Sequence, residues 1–120
     1  MNQEMLDAIE QLKRGEEAGF NYIYSQTHKQ VYSQARGHLK NEQDVEDLVQ
    51  ATYIAMYQSI HTLKEPEAFY GWLKTIVRNQ AGMILRKFKD EISLEEGMEG
   101  KQGVDEFSAF DLESMPEASA

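Results

Sequence analysis

The sequence predicts an all-α fold: a compact bundle of three long helices preceded by a short N-terminal one. Three observations predict it. Apolar residues recur at spacings of three and four through four separate segments. There is no strand signal and no internal repeat. Glycine is sparse, at 8 of 120 residues, and proline occurs only at Pro66 and Pro116, so few positions interrupt a helix.

The first helix spans Asn2 to Leu12, on Met5, Leu6, Ile9 and Leu12, and breaks at Arg14-Gly15. The second runs over about 17–40. Its apolar stripe is Phe20, Ile23, Tyr24, Thr27, Val31, Tyr32, Ala35 and Leu39. Gly37 inside it costs about 1 kcal/mol of helix stability. Asn41 is an N-cap for the third helix, with Asp44 three residues on as a variant capping box. That helix runs to about Ile60 on Val45, Leu48, Val49, Thr52, Tyr53, Met56, Tyr57 and Ile60. Residues 61–65 (HTLKE) form a short loop, and Pro66, with its fixed φ, suits the first turn of the fourth helix.

The fourth helix runs to about Phe88 on Phe69, Trp72, Leu73, Ile76, Val77, Ile84 and Phe88, with Gln80 in mid-stripe. After Asp90 the periodicity fades. Residues 93–120 are rich in Glu, Gly, Ser, Met and Ala around isolated Phe107, Phe110 and Leu112, which predicts a flexible tail. The expected organisation is a helical domain over 1–90 and an acidic linker or tail over 91–120. Roughly 85 residues suffice for a modest core.

Composition excludes several classes. There is no cysteine, so disulfides, zinc-thiolate sites and cysteine nucleophiles are out. His28, His38 and His61 show no metal-ligand spacing, and no cofactor is implied. No apolar run approaches the ~18 residues of a membrane helix. The N-terminus MNQEMLDAIEQ is polar and acidic, unlike a signal peptide. A cytoplasmic setting is expected, consistent with the missing cysteines. The carboxylates sit in caps, one solvated face and the tail rather than a converging pocket, so catalysis is not expected.

The net charge of −9 is unevenly placed. Residues 1–89 carry 11 basic and 11 acidic side chains, whereas 90–120 carry ten acids and only Lys101. Within the first part, 42–47 hold four acids and no base, and 68–89 hold five bases and no acid. Two regions of opposite sign suggest two different partners.

The outward face of the third helix carries Gln43, Asp47, Gln50, Ala51, Ile54 and Gln58, with Asp44 at the margin. An ordinary solvated face explains the charges but not Ile54, which sits amid polar residues one turn from the small Ala51. An acidic, partly apolar, low-profile surface suits a basic partner helix. The outside of the fourth helix gathers Gly71, Lys74, Thr75, Arg78, Gly82, Arg86 and Lys89 within about 120° at 100° per residue. Two glycines there weaken the helix, and close approach of a phosphate backbone would explain them. His61, Phe69, Tyr70 and Trp72 lie at its N-terminal end. Cations along a track with aromatics nearby are the ingredients of single-strand binding. Phe69 and Trp72 fit the apolar stripe and belong to the core on that ground; Tyr70 and His61 are open to either role.

The order of these features resembles a specific family. The segment DVEDLVQATYIAMYQSIHTLKEPEAFYGWLKTIVRNQAGMILRK is similar to region 2 of the sigma-70 family, most of all its extracytoplasmic-function (ECF) branch. The matching residues are the Asp44–Glu46–Asp47–Leu48–Val49–Gln50 run, Tyr53, Ile54, Tyr57, Phe69, Trp72-Leu73, Ile76, Arg78-Asn79 and Arg86-Lys87. The upstream FNYIYSQTHKQVYSQARGHLKN resembles the preceding helix, so the likeness covers about residues 17–89. DLVQ alone is a weak signal; with F-x-x-W-L-x-x-I-x-R-N at the right distance it is a strong one.

The resemblance implies a non-catalytic transcription-initiation role with two partners. Core RNA polymerase, through its beta-prime coiled coil, would meet Asp44, Asp47, Leu48, Gln50, Ala51 and Ile54, Leu48 mostly as packing. A flipped base of the promoter −10 element would meet the loop at His61, Thr62, Leu63 and Lys64. The melted non-template strand would meet Tyr70, Lys74, Arg78, Asn79 and Arg86. Capture of an unstacked base rewards strand opening. An anti-sigma factor is a further implied partner, and a module that only binds such an antagonist is the rival reading.

The sequence also departs from the family. Met83 stands where an acid or amide is common, and Glu65, Pro66 and Glu67 occupy positions where small or polar residues are common. The −10 base preference therefore does not carry over. Nothing in residues 90–120 resembles the helix-turn-helix of a region 4 domain. The expectation is the start of an interdomain linker, in a truncated fragment or a natural single-domain form.

Overall fold

The computed structural model describes residues 1–95, which form four α-helices and two short 3-10 turns, with no strand among them. Helix α1 (Gln3–Lys13) starts at Asn2, whose side chain accepts the Met5 N–H at 2.8 Å. This cap satisfies one of the unpaired N–H groups of the first turn. Gly15, at φ +78°, makes the reversal into α2 (Glu17–His38). Left-handed backbone of this kind is open to glycine at little cost.

The two helices then pack closely at Gly19. A Cβ added there would lie 2.5 Å from the Ala8 carbonyl and 2.7 Å from the Leu12 nitrogen. Extended backbone at Leu39 ends α2, and Asn41 caps α3 (Glu42–Ser59) by accepting the Asp44 N–H at 3.1 Å. Thus the expected N-cap is the observed one.

A 3-10 turn, Ile60–Thr62, ends the third helix; a second, Pro66–Ala68, leads into α4 (Phe69–Glu95). Helix α4 continues past the expected end at Phe88 and takes in residues 93–95, read from the sequence as the start of the tail. The expectation of a flexible tail over 96–120 lies outside the described residues.

All four helices contribute to one core. Ile9, Ile23, Val31, Val45, Leu48, Met56, Phe69, Leu73, Ile76 and Val77 are fully buried, and Trp72 is nearly so. Phe69 and Trp72 take the core role. The Thr27 hydroxyl donates to the Ile23 carbonyl at 2.7 Å and sits 2.6 Å from the Tyr53 hydroxyl. With the Thr27 proton so committed, Tyr53 donates to Thr27. Burial pushes the Tyr53 phenol up to about 12, more than the hydrogen bond to Thr27 holds it down.

The apolar stripes are wider than the buried surface at their margins. Tyr57 is 52% exposed and Phe88 59%, and Tyr24 is also open to solvent. In a bundle of three long helices each helix has two long neighbours. A stripe half a helix wide is therefore covered only on the side facing them. Conversely Ala55 and Ala81, outside the expected stripes, are buried. Gln80, expected in mid-stripe, is half-buried.

Candidate functional site

Two surfaces of opposite charge lie on neighbouring helices. On α3, Asp47, Gln50 and Gln58 are exposed, Asp44 and Ala51 are half-buried, and Ile54 is 52% exposed in their midst. The Gln43 amide donates to Asp47 Oδ1 at 3.1 Å, bracing the carboxylate one turn along. Leu48 does not share this surface. It is fully buried, because its helical phase points it into the core, and it supports the face from beneath.

This face forms one wall of a groove whose aromatic residues, Tyr24 and Tyr57 among them, the apolar stripes place in the core. It measures about 740 Å³ and runs between α2 and α3, lined among others by Phe20, Tyr24, Tyr53, Ile54 and Tyr57. The Tyr24 ring stacks on His28 at 5.3 Å between centroids and meets the Tyr53 ring at 4.9 Å. The available signal was chemical: a tyrosine at a stripe margin keeps its hydroxyl wet while its ring packs.

On α4, Lys74 and Arg78 are exposed one turn apart, Tyr70 is exposed beside them, and Asn79 and Arg86 are half-buried. The Thr75 hydroxyl donates to the Gly71 carbonyl at 3.1 Å. Among the described residues nothing beyond its own helix backbone and chain neighbours lies within 4 Å of where a Gly71 Cβ would stand, so packing against them does not require a glycine here.

Between α3 and α4 the loop is pinned rather than loose. Leu63 is fully buried, its N–H donates to the Ile60 carbonyl at 3.0 Å, and its carbonyl accepts from Lys13 Nζ at 2.9 Å. The expectation that Leu63 meets a base is therefore corrected: an apolar side chain between polar neighbours went inward and anchors the loop. The Thr62 hydroxyl is tied to the Ser59 carbonyl at 2.7 Å. His61 and Lys64 are left on the exposed side of the loop.

Two polar residues are absent from the site that the sequence predicts. Gln34 and His38, at the C-terminal end of α2, border a cleft with Lys74, Thr75 and Arg78 of α4. No sequence periodicity reports that two helices far apart in the chain run side by side. No helix among the described residues is long and apolar enough to cross a membrane.

The bundle thus carries an acidic, amide-rich helix face beside a basic, aromatic-flanked one. A family model for sigma-70 region 2 matches residues 23–90, and the chain belongs to that family. It is similar to the ECF RNA polymerase sigma-E factor of Haemophilus influenzae, at 30% identity over 73 residues, 61% of this chain and 38% of that protein. The chain thus covers well under half the length of this relative. No solved structure matches it significantly.

Proposed function

We propose that residues 1–90 act as the region 2 domain of an ECF-type sigma factor in the bacterial cytoplasm, with residues 91–120 as an acidic linker. In this reading α3 binds the beta-prime coiled coil of core RNA polymerase through Asp44, Asp47, Gln50, Ala51 and Ile54. The loop presents His61, Thr62 and Lys64 to a base of the opened −10 element. Tyr70, Lys74, Arg78, Asn79 and Arg86 follow the non-template strand. The domain melts the promoter by binding the open strand and catalyses nothing.

The observation that carries the reading is the pair of opposite-sign faces on adjacent helices of a sigma-70 region 2 domain. An acidic face with exposed Ile54 suits a basic helix, and cations beside Tyr70 suit a phosphate strand. The test has two arms. Asp47→Arg and Gln50→Arg should abolish co-purification with core polymerase at unchanged helicity. Arg78→Ala should weaken binding of −10 oligonucleotides of every sequence about equally, whereas substitutions at His61, Thr62 or Lys64 should change the preferred base. If all five cations of residues 68–89 meet phosphates, the log–log salt slope approaches about −3.5, at roughly −0.7 each. Polymerase binding by both α3 variants would refute the first assignment. Salt-independent binding, or a loop without effect on base preference, would refute the second.

The aromatic groove between α2 and α3 favours a second reading, a module held by an anti-sigma factor without DNA reading of its own. Exposed Tyr24, Ile54 and Tyr57 make it a suitable seat for a partner protein. Such a module binds its antagonist but gives no promoter opening with polymerase.

A further inference from the structure

The cleft between the end of α2 and α4 measures about 460 Å³ and is lined by Gln34, His38, Lys74, Thr75 and Arg78. Among the described residues its lining contains no carboxylate, in a chain whose net charge is −9. Lys74 and Arg78 are spaced i,i+4 on one helix, and Gln34 and His38 are spaced i,i+4 on the other. Each pair therefore lies on one side of its helix, and the two pairs face a common notch. Among the described residues neither Lys74 nor Arg78 has an ion-pair partner.

We propose that this notch holds one backbone phosphate of the nucleic-acid strand, with Gln34 and His38 of α2 completing a site begun by Lys74 and Arg78. The inference rests on the nucleic-acid reading of α4 and adds to it two residues from a different helix.

Each lining group has a distinct part. Lys74 supplies a point charge and Arg78 a planar fork suited to two phosphate oxygens. The Thr75 proton is already given to the Gly71 carbonyl, so Thr75 is wall rather than donor. The Gln34 Oε1 is buried with no hydrogen-bond partner among the described residues, so no bond from them holds the amide in place at that oxygen. Turning the amide to present its N–H₂ to a phosphate breaks nothing there. The His38 ring offers an N–H in either protonation state and adds a charge when protonated. The notch is not an enclosed cavity, so a phosphodiester within a continuous strand can reach it.

The test uses the full chain, a labelled single-stranded −10 oligonucleotide, and a set of the same oligonucleotide with one neutral methylphosphonate linkage at each position in turn. Gln34→Ala and His38→Ala should each weaken binding by about 3- to 10-fold, equally for all base sequences, as loss of a phosphate hydrogen bond does. His38→Arg should tighten it. In the unsubstituted chain one linkage position should be sensitive to neutralisation. In the Gln34→Ala/His38→Ala double variant that sensitivity should shrink, since the two changes then remove the same contact. His38 is exposed and Gln34 half-buried, and circular dichroism checks that helicity is kept.

If Lys74→Ala weakens binding while the α2 variants do not, or the linkage profile is the same with and without the α2 pair, the proposal is overturned and the nucleic-acid reading stands. If the unsubstituted chain shows no salt-dependent binding of the oligonucleotide, both fall together.

Discussion

Replacing Gly71 by alanine should raise stability and lower nucleic-acid affinity at once. Gly71 is preceded by the helical turn Pro66–Ala68 and the start of α4, so it behaves as a helix-interior position. Its outward side is empty to 4 Å among the described residues, so the new methyl meets none of them. The remaining effect is the propensity difference, about 0.5–1 kcal/mol in favour of alanine. For a domain of this size that corresponds to a rise in Tm of roughly 2–8 °C by thermal melting. Under the proposed nucleic-acid role, a strand that approaches the helix surface closely would meet the methyl. Binding of a single-stranded −10 oligonucleotide, read by anisotropy, should weaken by about 3- to 10-fold, equivalent to roughly 1 kcal/mol. Gly19→Ala is the internal contrast. There the Cβ would press on the Ala8 carbonyl and the Leu12 nitrogen, both backbone atoms that cannot rotate away. That variant should lose about 1–3 kcal/mol. A lower Tm for Gly71→Ala would refute the open geometry. A higher Tm with unchanged affinity would refute close approach of the strand.

Other outcomes follow from the same structure. Leu63→Ala should destabilise the chain by about 2–5 kcal/mol in urea titration, since a fully buried leucine that pegs the loop leaves a cavity; a cost near zero would return Leu63 to the surface. Thr52→Val should stabilise by about 1 kcal/mol, because the buried Thr52 hydroxyl has no hydrogen-bond partner among the described residues; a loss of stability would reveal a partner. The Tyr53 phenol, raised to about 12, keeps its proton in the folded chain where the unfolded chain has released it, so its contribution to stability is full below about pH 10 and is lost toward pH 12. Alkaline unfolding followed by circular dichroism should show that loss diminished in Tyr53→Phe. Removing residues 96–120, which carry seven acids against Lys101, should tighten oligonucleotide binding at low salt by lifting electrostatic competition. Equal affinity with and without them would exclude that competition.

The helices themselves were legible because their causes are local. Periodicity of 3.6, the Asn41 cap and the Gly15 break are properties of short stretches, and each appears where the sequence puts it. The outward residues of α3 and α4 were legible for the same reason: phase along one helix follows from spacing alone. The end of α4 was less so. The stripe thins after Ile84, with Phe88 exposed, and the pattern does not distinguish a helix with a solvated end from a helix that stops.

By itself, then, the sequence determined four helical segments, their polar and apolar sides, and the separation of acid from base along the chain. Those follow from backbone geometry and from counting, and they were enough to reach the sigma-70 resemblance. Only the tertiary structure decided which stripe margins are covered. Tyr24, Tyr57 and Phe88 have the apolar character of core residues, yet the packing leaves each of them exposed, while Leu63 leaves a polar loop to fill space beneath it. It also decided that Gln34 and His38 stand beside Lys74 and Arg78. Burial and juxtaposition depend on how helices distant in sequence pack together, and spacing along a single helix carries no record of that.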